Sequence, residues 1–130
     1  MSQRVVEGGA DAIPRFAVDL RDIGPVTVLA LTGELDHDTA PALRERLTEA
    51  LARAARPGHR PTVVVDCSGL AFCDSTGLNV LLAARLQADE QGASIRLAAL
   101  RGHVVRMFDI TGAGTVFSIH PDLDDALVAS

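Results

Sequence analysis

The chain has 130 residues and contains no Lys, no Trp, no Tyr and only two Cys. Each scarcity excludes something. Aromatic residues amount to 3% of the chain against 48% hydrophobic in all, so a core must be built mainly from Val, Leu, Ile and Ala, and neither Trp nor Tyr is there to stack on a base or sugar. All twelve basic residues are Arg, opposed by seventeen Asp and Glu, for a net charge of −5 with no basic run. That balance argues against direct nucleic-acid binding, which rests on clustered cations that neutralise phosphates. Cys67 and Cys73 are too few and wrongly spaced for a zinc site, which takes paired Cys or His ligands at short intervals. They read as two small apolar residues. No stretch approaches the roughly 20 apolar residues that span a bilayer, and the N-terminus lacks the apolar region of a signal peptide. The expectation is a cytoplasmic protein with no membrane partner.

What is present fits one α/β domain. Residues 1–14 are polar and aperiodic and read as a flexible tail; the domain is expected over 15–130. "RFAVDLRD" and "VTVLALTG" have the length and β-branched content of strands, and "IGP" between them supplies a turn, so the pair predicts a hairpin. In "TAPALRERLTEALARAARPG", Leu43, Leu47 and Leu51 recur at helical spacing, with Asp38 or Thr39 as N-cap, Pro41 in the first turn and Pro57-Gly58 past the end. "TVVVDC" reads as a central strand covered on both faces. "GLNVLLAARLQADEQG" follows as a helix closed by Gly92. "SIRLAAL" is a strand, "GHVVRMFDITG" a short helix turning Val104, Val105 and Phe108 inward, "TVFSI" a last strand and "DLDDALVA" a terminal helix. The order β-β-α-β-α-β-α-β-α predicts a mixed, mostly parallel sheet of about five strands with four helices.

In such sheets functional groups collect on loops at the carboxyl ends of the strands. Two loops qualify, "TGELDHDT" (32–39) and "DCSGLAFCDSTG" (66–77). They hold Glu34, Asp36, Asp38, Asp66 and Asp74 with no Arg among them, which predicts an acidic edge. Ser75 and Thr76 lie in its middle, at a helix start whose unpaired N–H groups form a weak positive pole. Read locally, Asp74 or Ser75 is an N-cap and Gly77 allows close packing. A nucleophilic Ser75 lacks the G-x-S-x-G elbow, and of His37, His59, His103 and His120 only His37 falls in a loop facing it. An acid-protease site needs two carboxylates in matching loops, and "DSTG" has no second copy. "GAG" at 112–114 follows a helix instead of opening one, the wrong context for a phosphate loop.

The segments "LTGELDHDTAPALRERL", "VVVDCSGLAFCDSTGLNVLL" and "RMFDITGAGTVFSIHPDLDDAL", in that order and spacing, resemble the STAS-domain anti-sigma factor antagonists of bacteria. The resemblance runs from about residue 15 to the C-terminus and is most specific at G-E-L-D and D-S-x-G-L. It implies a STAS domain and a regulatory protein that is not an enzyme. It would need no cofactor of its own. Its partners would be an anti-sigma factor that is also a serine kinase, which supplies the ATP, and a serine phosphatase. By position the resemblance implies phosphorylation at Ser75, with Thr76 as the neighbouring alternative. It implies partner contacts from Gly33, Glu34, Leu35 and Asp36 in one loop and from Asp74, Ser75, Thr76 and Gly77 in the other. Other STAS proteins serve as subunits of lipid-transport complexes, which is the alternative reading. A small serine hydrolase is the alternative of a different class.

Overall fold

The computed structural model describes residues 3–7 and 15–128; the remainder of the expected tail and the last two residues of the domain lie outside the described residues. Six strands form one sheet in chain order: β1 (Gln3–Glu7), β2 (Phe16–Ile23), β3 (Val26–Leu35), β4 (Thr62–Cys73), β5 (Ser94–Ala98) and β6 (Ser118–His120). β1, β2 and β3 are antiparallel, and β3 through β6 are parallel. Four helices, α1 (Ala40–Ala54), α2 (Ser75–Glu90), α3 (Gly102–Thr111) and α4 (Leu123–Val128), complete the fold. From residue 16 onward the order is the expected one. Residues 3–7, expected within a tail, instead pair with β2 and add a sixth strand.

The alternation of apolar residues along the strands sorts the helices into two layers. Phe16, Val18, Leu29, Leu31, Val63 and Val65 face α1, α2 and α3 in the main core, where Leu43, Leu47, Leu81, Val104 and Phe108 meet them. On the opposite face Val26, Val28, Val64 and Ala98 pack under Ala126, Leu123 and Leu127 of α4. The buried α1 stripe is the Leu43–Leu47–Leu51 repeat. Gly92, at φ +71°, takes the left-handed turn after α2 that glycine adopts without strain.

Several boundaries differ from expectation. β3 continues through Leu35 and β4 through Cys73, so half of the first expected loop and most of the second are strand. Two register shifts between β3 and β4, at Ala30/Thr32 and at Gly33/Glu34, each put an extra residue into β4, and these bulges carry the pairing onward. Ala113–Thr115 form a 3₁₀ turn and β6 begins only at Ser118, because Phe117 is drawn into the core against Phe108 with ring centroids 5.8 Å apart. Val105, expected inward, is 39% exposed: the inward face of α3 is set by Val104 and Phe108, one turn apart.

Candidate functional site

The ends of β3 and β4 lie side by side, with Leu35 opposite Cys73. The chain leaves β4 through Asp74, whose N–H donates to the Leu35 carbonyl at 3.0 Å. Asp74 is the N-cap of α2: its extended backbone precedes the helix and Oδ1 accepts from the Gly77 N–H at 2.8 Å. Its second oxygen accepts from the His37 N–H at 3.1 Å. One carboxylate thus closes a helix end and fastens the neighbouring turn to it. Of the two caps left open by the sequence, Asp74 fills the role and Ser75 does not.

Ser75 is therefore the first helical residue, with its hydroxyl released from capping. It is exposed, and Thr76 beside it is half-buried; among the described residues neither hydroxyl has a hydrogen-bond partner. Gly77 is buried against the other loop. A Cβ there would stand 2.5 Å from Leu35 Cγ and 3.1 Å from the Leu35 carbonyl oxygen, so the glycine makes room for Leu35 and leaves no open approach to the backbone.

The second loop is held with equal economy. Gly33, at φ +96°, lets the β2 backbone come so close that an added Cβ would lie 1.9 Å from the Arg15 carbonyl, and that carbonyl accepts from the Glu34 N–H at 2.7 Å. Thr39, buried at the start of α1, donates its hydroxyl to the Glu34 carbonyl and accepts from the Asp36 N–H, both at 2.9 Å. Asp36 Oδ1 accepts from the N–H groups of Asp38 and Thr39. Partial burial pushes the Asp36 carboxyl upward, but the N–H groups of Thr39 and Asp38 and the charge of Arg15 outweigh it and hold it below the usual carboxylate range.

The edge is less acidic than expected. Arg15, arriving from the start of β2, pairs with Asp36 and lies 3.6 Å from Asp38. Asp66 is not part of the edge, since it sits within β4 opposite Ala30 and Ala98. The turn that carries Asp36 and Asp38 is joined to the start of α2, where Ser75 and Thr76 follow Asp74, by the His37–Asp74 bond, and Glu34 lies on β3 opposite Phe72. Sequence reasoning missed Arg15 and a second arrival, His103 of α3. The His103 ring stacks on Phe72 with centroids 4.7 Å apart and planes 9° apart, and its Nε2 lies 3.3 Å from the Cys73 carbonyl. Phe72 is 36% exposed, and a surface-bound Phe beside "CDSTG" in a chain with four Phe was the available signal.

Cys67 and Cys73 are buried in the core. Burial pushes both thiols up, that of Cys73 to about 12 with the Asp74 charge adding to it, so neither is a thiolate near neutral pH. Among the described residues no group of three His, Cys, Asp or Glu is placed to hold a metal ion, and no helix is long and apolar enough to cross a membrane. What the edge offers is a rigid surface with an unengaged serine at its centre.

Comparisons with known proteins follow the same lines. A family profile described as "Mlab, STAS domain" matches residues 18–121. The chain is 34% identical over 115 residues to the anti-sigma-F factor antagonist RsfB of Mycobacterium tuberculosis, covering 86% of this chain and 87% of that protein. It is 32% identical over 89 residues to the anti-sigma-B factor antagonist of Bacillus subtilis, covering 68% of this chain and 76% of the relative. Among solved structures, an anti-sigma factor antagonist from Mycobacterium paratuberculosis superposes with a TM-score of 0.76 at 28% identity, over 93% of this chain and 96% of that one.

Proposed function

The chain belongs to the STAS-domain family, and from that premise we propose that it is an anti-sigma factor antagonist: it binds an anti-sigma factor, frees the sigma factor, and is switched off by phosphorylation of Ser75. The anti-sigma factor doubles as the ATP-dependent serine kinase, and a serine phosphatase restores the active form. In this switch the protein is the substrate of its partners and catalyses no step, and it works in the cytoplasm. Its curated relatives named as antagonists support the binding function.

One observation carries the switch: the Ser75 hydroxyl is exposed and unbonded while Asp74 does the capping. A phosphoryl group adds about −1.5 to −2 charge and three acceptor oxygens near neutral pH. At the first position of α2 the helix pole offsets part of that charge, and no cap has to be broken to admit it. Toward a partner the effect is opposite. The added charge stands beside Asp74, Glu34 and Asp38, and Arg15, the cation of this edge, is already paired with Asp36. Binding is lost through repulsion and bulk on a surface that stays folded. Gly33 and Gly77 shape that surface, while Glu34, Asp36, Ser75 and Thr76 are its contacts and Leu35 its buried support.

The test combines the purified chain, a kinase-type anti-sigma factor and ATP, with phosphate uptake read by intact mass and located by fragmentation. One phosphoryl group on Ser75 is expected, lost in Ser75→Ala and retained in Thr76→Ala. Ser75→Asp should weaken the complex yet change stability by no more than about 0.5 kcal/mol, as for an exposed side chain without partners. Undiminished transfer to Ser75→Ala would refute the assignment. No transfer and no complex would favour the lipid-transport subunit instead.

A further inference from the structure

A second serine stands in a different setting on the outermost strand. Ser118 and His120 are two residues apart on β6 and so project from one face of the sheet. Ser118 Oγ lies 2.9 Å from His120 Nε2, and His120 Nδ1 lies 2.8 Å from Asp125 Oδ2 in the first turn of α4. Asp125 is itself fixed, its N–H donating to Asp122 Oδ1 at 2.8 Å. A carboxylate at Nδ1 selects the tautomer whose Nε2 can accept the hydroxyl proton. The His120 side chain is only 12% exposed, whereas Ser118 is open to solvent.

Ser118 also lines a groove of about 360 Å³ together with Arg60, Arg85, Arg96 and Ser94. Arg96 is the cross-strand neighbour of Ser118, so guanidinium and hydroxyl stand on the same face. The groove has one carboxylate, Asp89, which is paired with Arg85 at 3.4 Å. Arg96 Nη1 donates to the Ala126 carbonyl of α4 at 2.9 Å and Arg60 Nε to Ser94 Oγ at 2.8 Å, so each of these two guanidinium groups is fixed through part of its five N–H donors. Three guanidinium groups against one carboxylate leave the recess cationic in a chain of net charge −5, and Arg forks match phosphate oxygens.

We propose that Ser118 is a base-activated nucleophile that accepts the acyl group of a small acyl phosphate. His120 Nε2 takes the hydroxyl proton as Oγ bonds to the acyl carbon. The bond from that carbon to the phosphate oxygen breaks, its electron pair leaves on the phosphate, and His120 returns the proton to it. The products are O-acyl-Ser118 and inorganic phosphate. Nucleophile, base and orienting carboxylate in line are the arrangement that serves acyl transfer, and the arginines hold the departing phosphate. The reaction modifies the chain itself once and is independent of Ser75.

Acetyl phosphate is the probe, with intact mass and fragmentation as readout. Background is low because the chain has no Lys and both thiols are buried. One acetyl group on Ser118 is expected, absent in Ser118→Ala and slowed on the order of a hundredfold in His120→Gln, the scale of a lost general base. Arg60→Gln, away from α4, should slow transfer from acetyl phosphate more than transfer from uncharged p-nitrophenyl acetate, and equal slowing of both would mean that the arginines do not hold the phosphate. Melting curves establish that the variants fold, and Asp125→Asn replaces His120→Gln if the latter does not. An unmodified Ser118, an equal rate in a folded base variant, or a phosphoryl group in place of the acetyl would each overturn the proposal.

Discussion

A methyl group at position 77 would meet Leu35 at both Cγ and Cδ2, at 2.5 and 2.9 Å. Leu35 is fully buried and its carbonyl holds the Asp74 N–H, so it has little room to retreat. The motifs G-E-L-D and D-S-T-G, far apart in sequence, are thus two halves of one packing contact. Gly77→Ala gains about 1 kcal/mol of helix propensity but incurs about 1–3 kcal/mol of overpacking. The expected outcome is a net loss near 1 kcal/mol in urea unfolding. Leu35→Ala alone should lose about 2–5 kcal/mol, and the double variant less than the sum, because the vacated space admits the new methyl. A neutral Gly77→Ala, or strict additivity, would show that the two loops do not interlock. Ser75 stands apart from this: with no hydrogen-bond partner among the described residues, its identity matters to whatever binds the surface more than to the fold.

Among the elements, the helices were legible because their signals are local: the Leu repeat and Pro57-Gly58 delimit α1, and Gly92 ends α2 at a left-handed turn. The far half of β4 was not. From Cys67 onward its buried residues are Cys67, Leu70 and Cys73, every third position, because two bulges each insert an extra residue and erase the period of two by which a strand is recognised. At the site, Asp74 and Ser75 were readable as a helix start. Arg15 and His103 were not, since only the register of β2 and the docking of α3 bring them there. Beside the buried Val104 and Phe108, the Phe72–His103 stack adds a contact at the start of α3, and aromatic pairs contribute about 0.5–1.5 kcal/mol beyond burial. His103→Ala should accelerate amide exchange in the first turn of α3 and over residues 70–73, leaving the β2–β3 hairpin unchanged. Exchange mass spectrometry decides it, and a uniform rise across the chain would mean that the stack is no local fastening.

For the molecule as a whole, α1 is tied to the β2–β3 hairpin by Arg53, whose Nε and Nη2 both donate to the Asp22 carboxylate at 3.0–3.2 Å, while the buried Thr27 hydroxyl donates to it at 3.1 Å. Asp22 is held below the usual carboxylate range, chiefly by the Arg53 hydrogen bonds and against partial burial. Asp36 is lowered as well. A carboxylate whose pKa is lower in the folded than in the unfolded chain binds fewer protons when folded. Its stabilisation is complete above the unfolded value, about 4, and is lost as the pH falls through the folded value. Denaturant midpoints should therefore stay nearly level from neutrality down to about pH 4 and fall steeply below it. Arg53→Gln removes the main cause of the Asp22 shift, so the variant should be less stable at neutral pH and decline more gently in acid, the two curves converging once both carboxyls are protonated. A gap between them that persists undiminished at low pH would mean that Arg53 stabilises the fold by packing its stem against α1 and the hairpin, and that its charge on Asp22 contributes nothing.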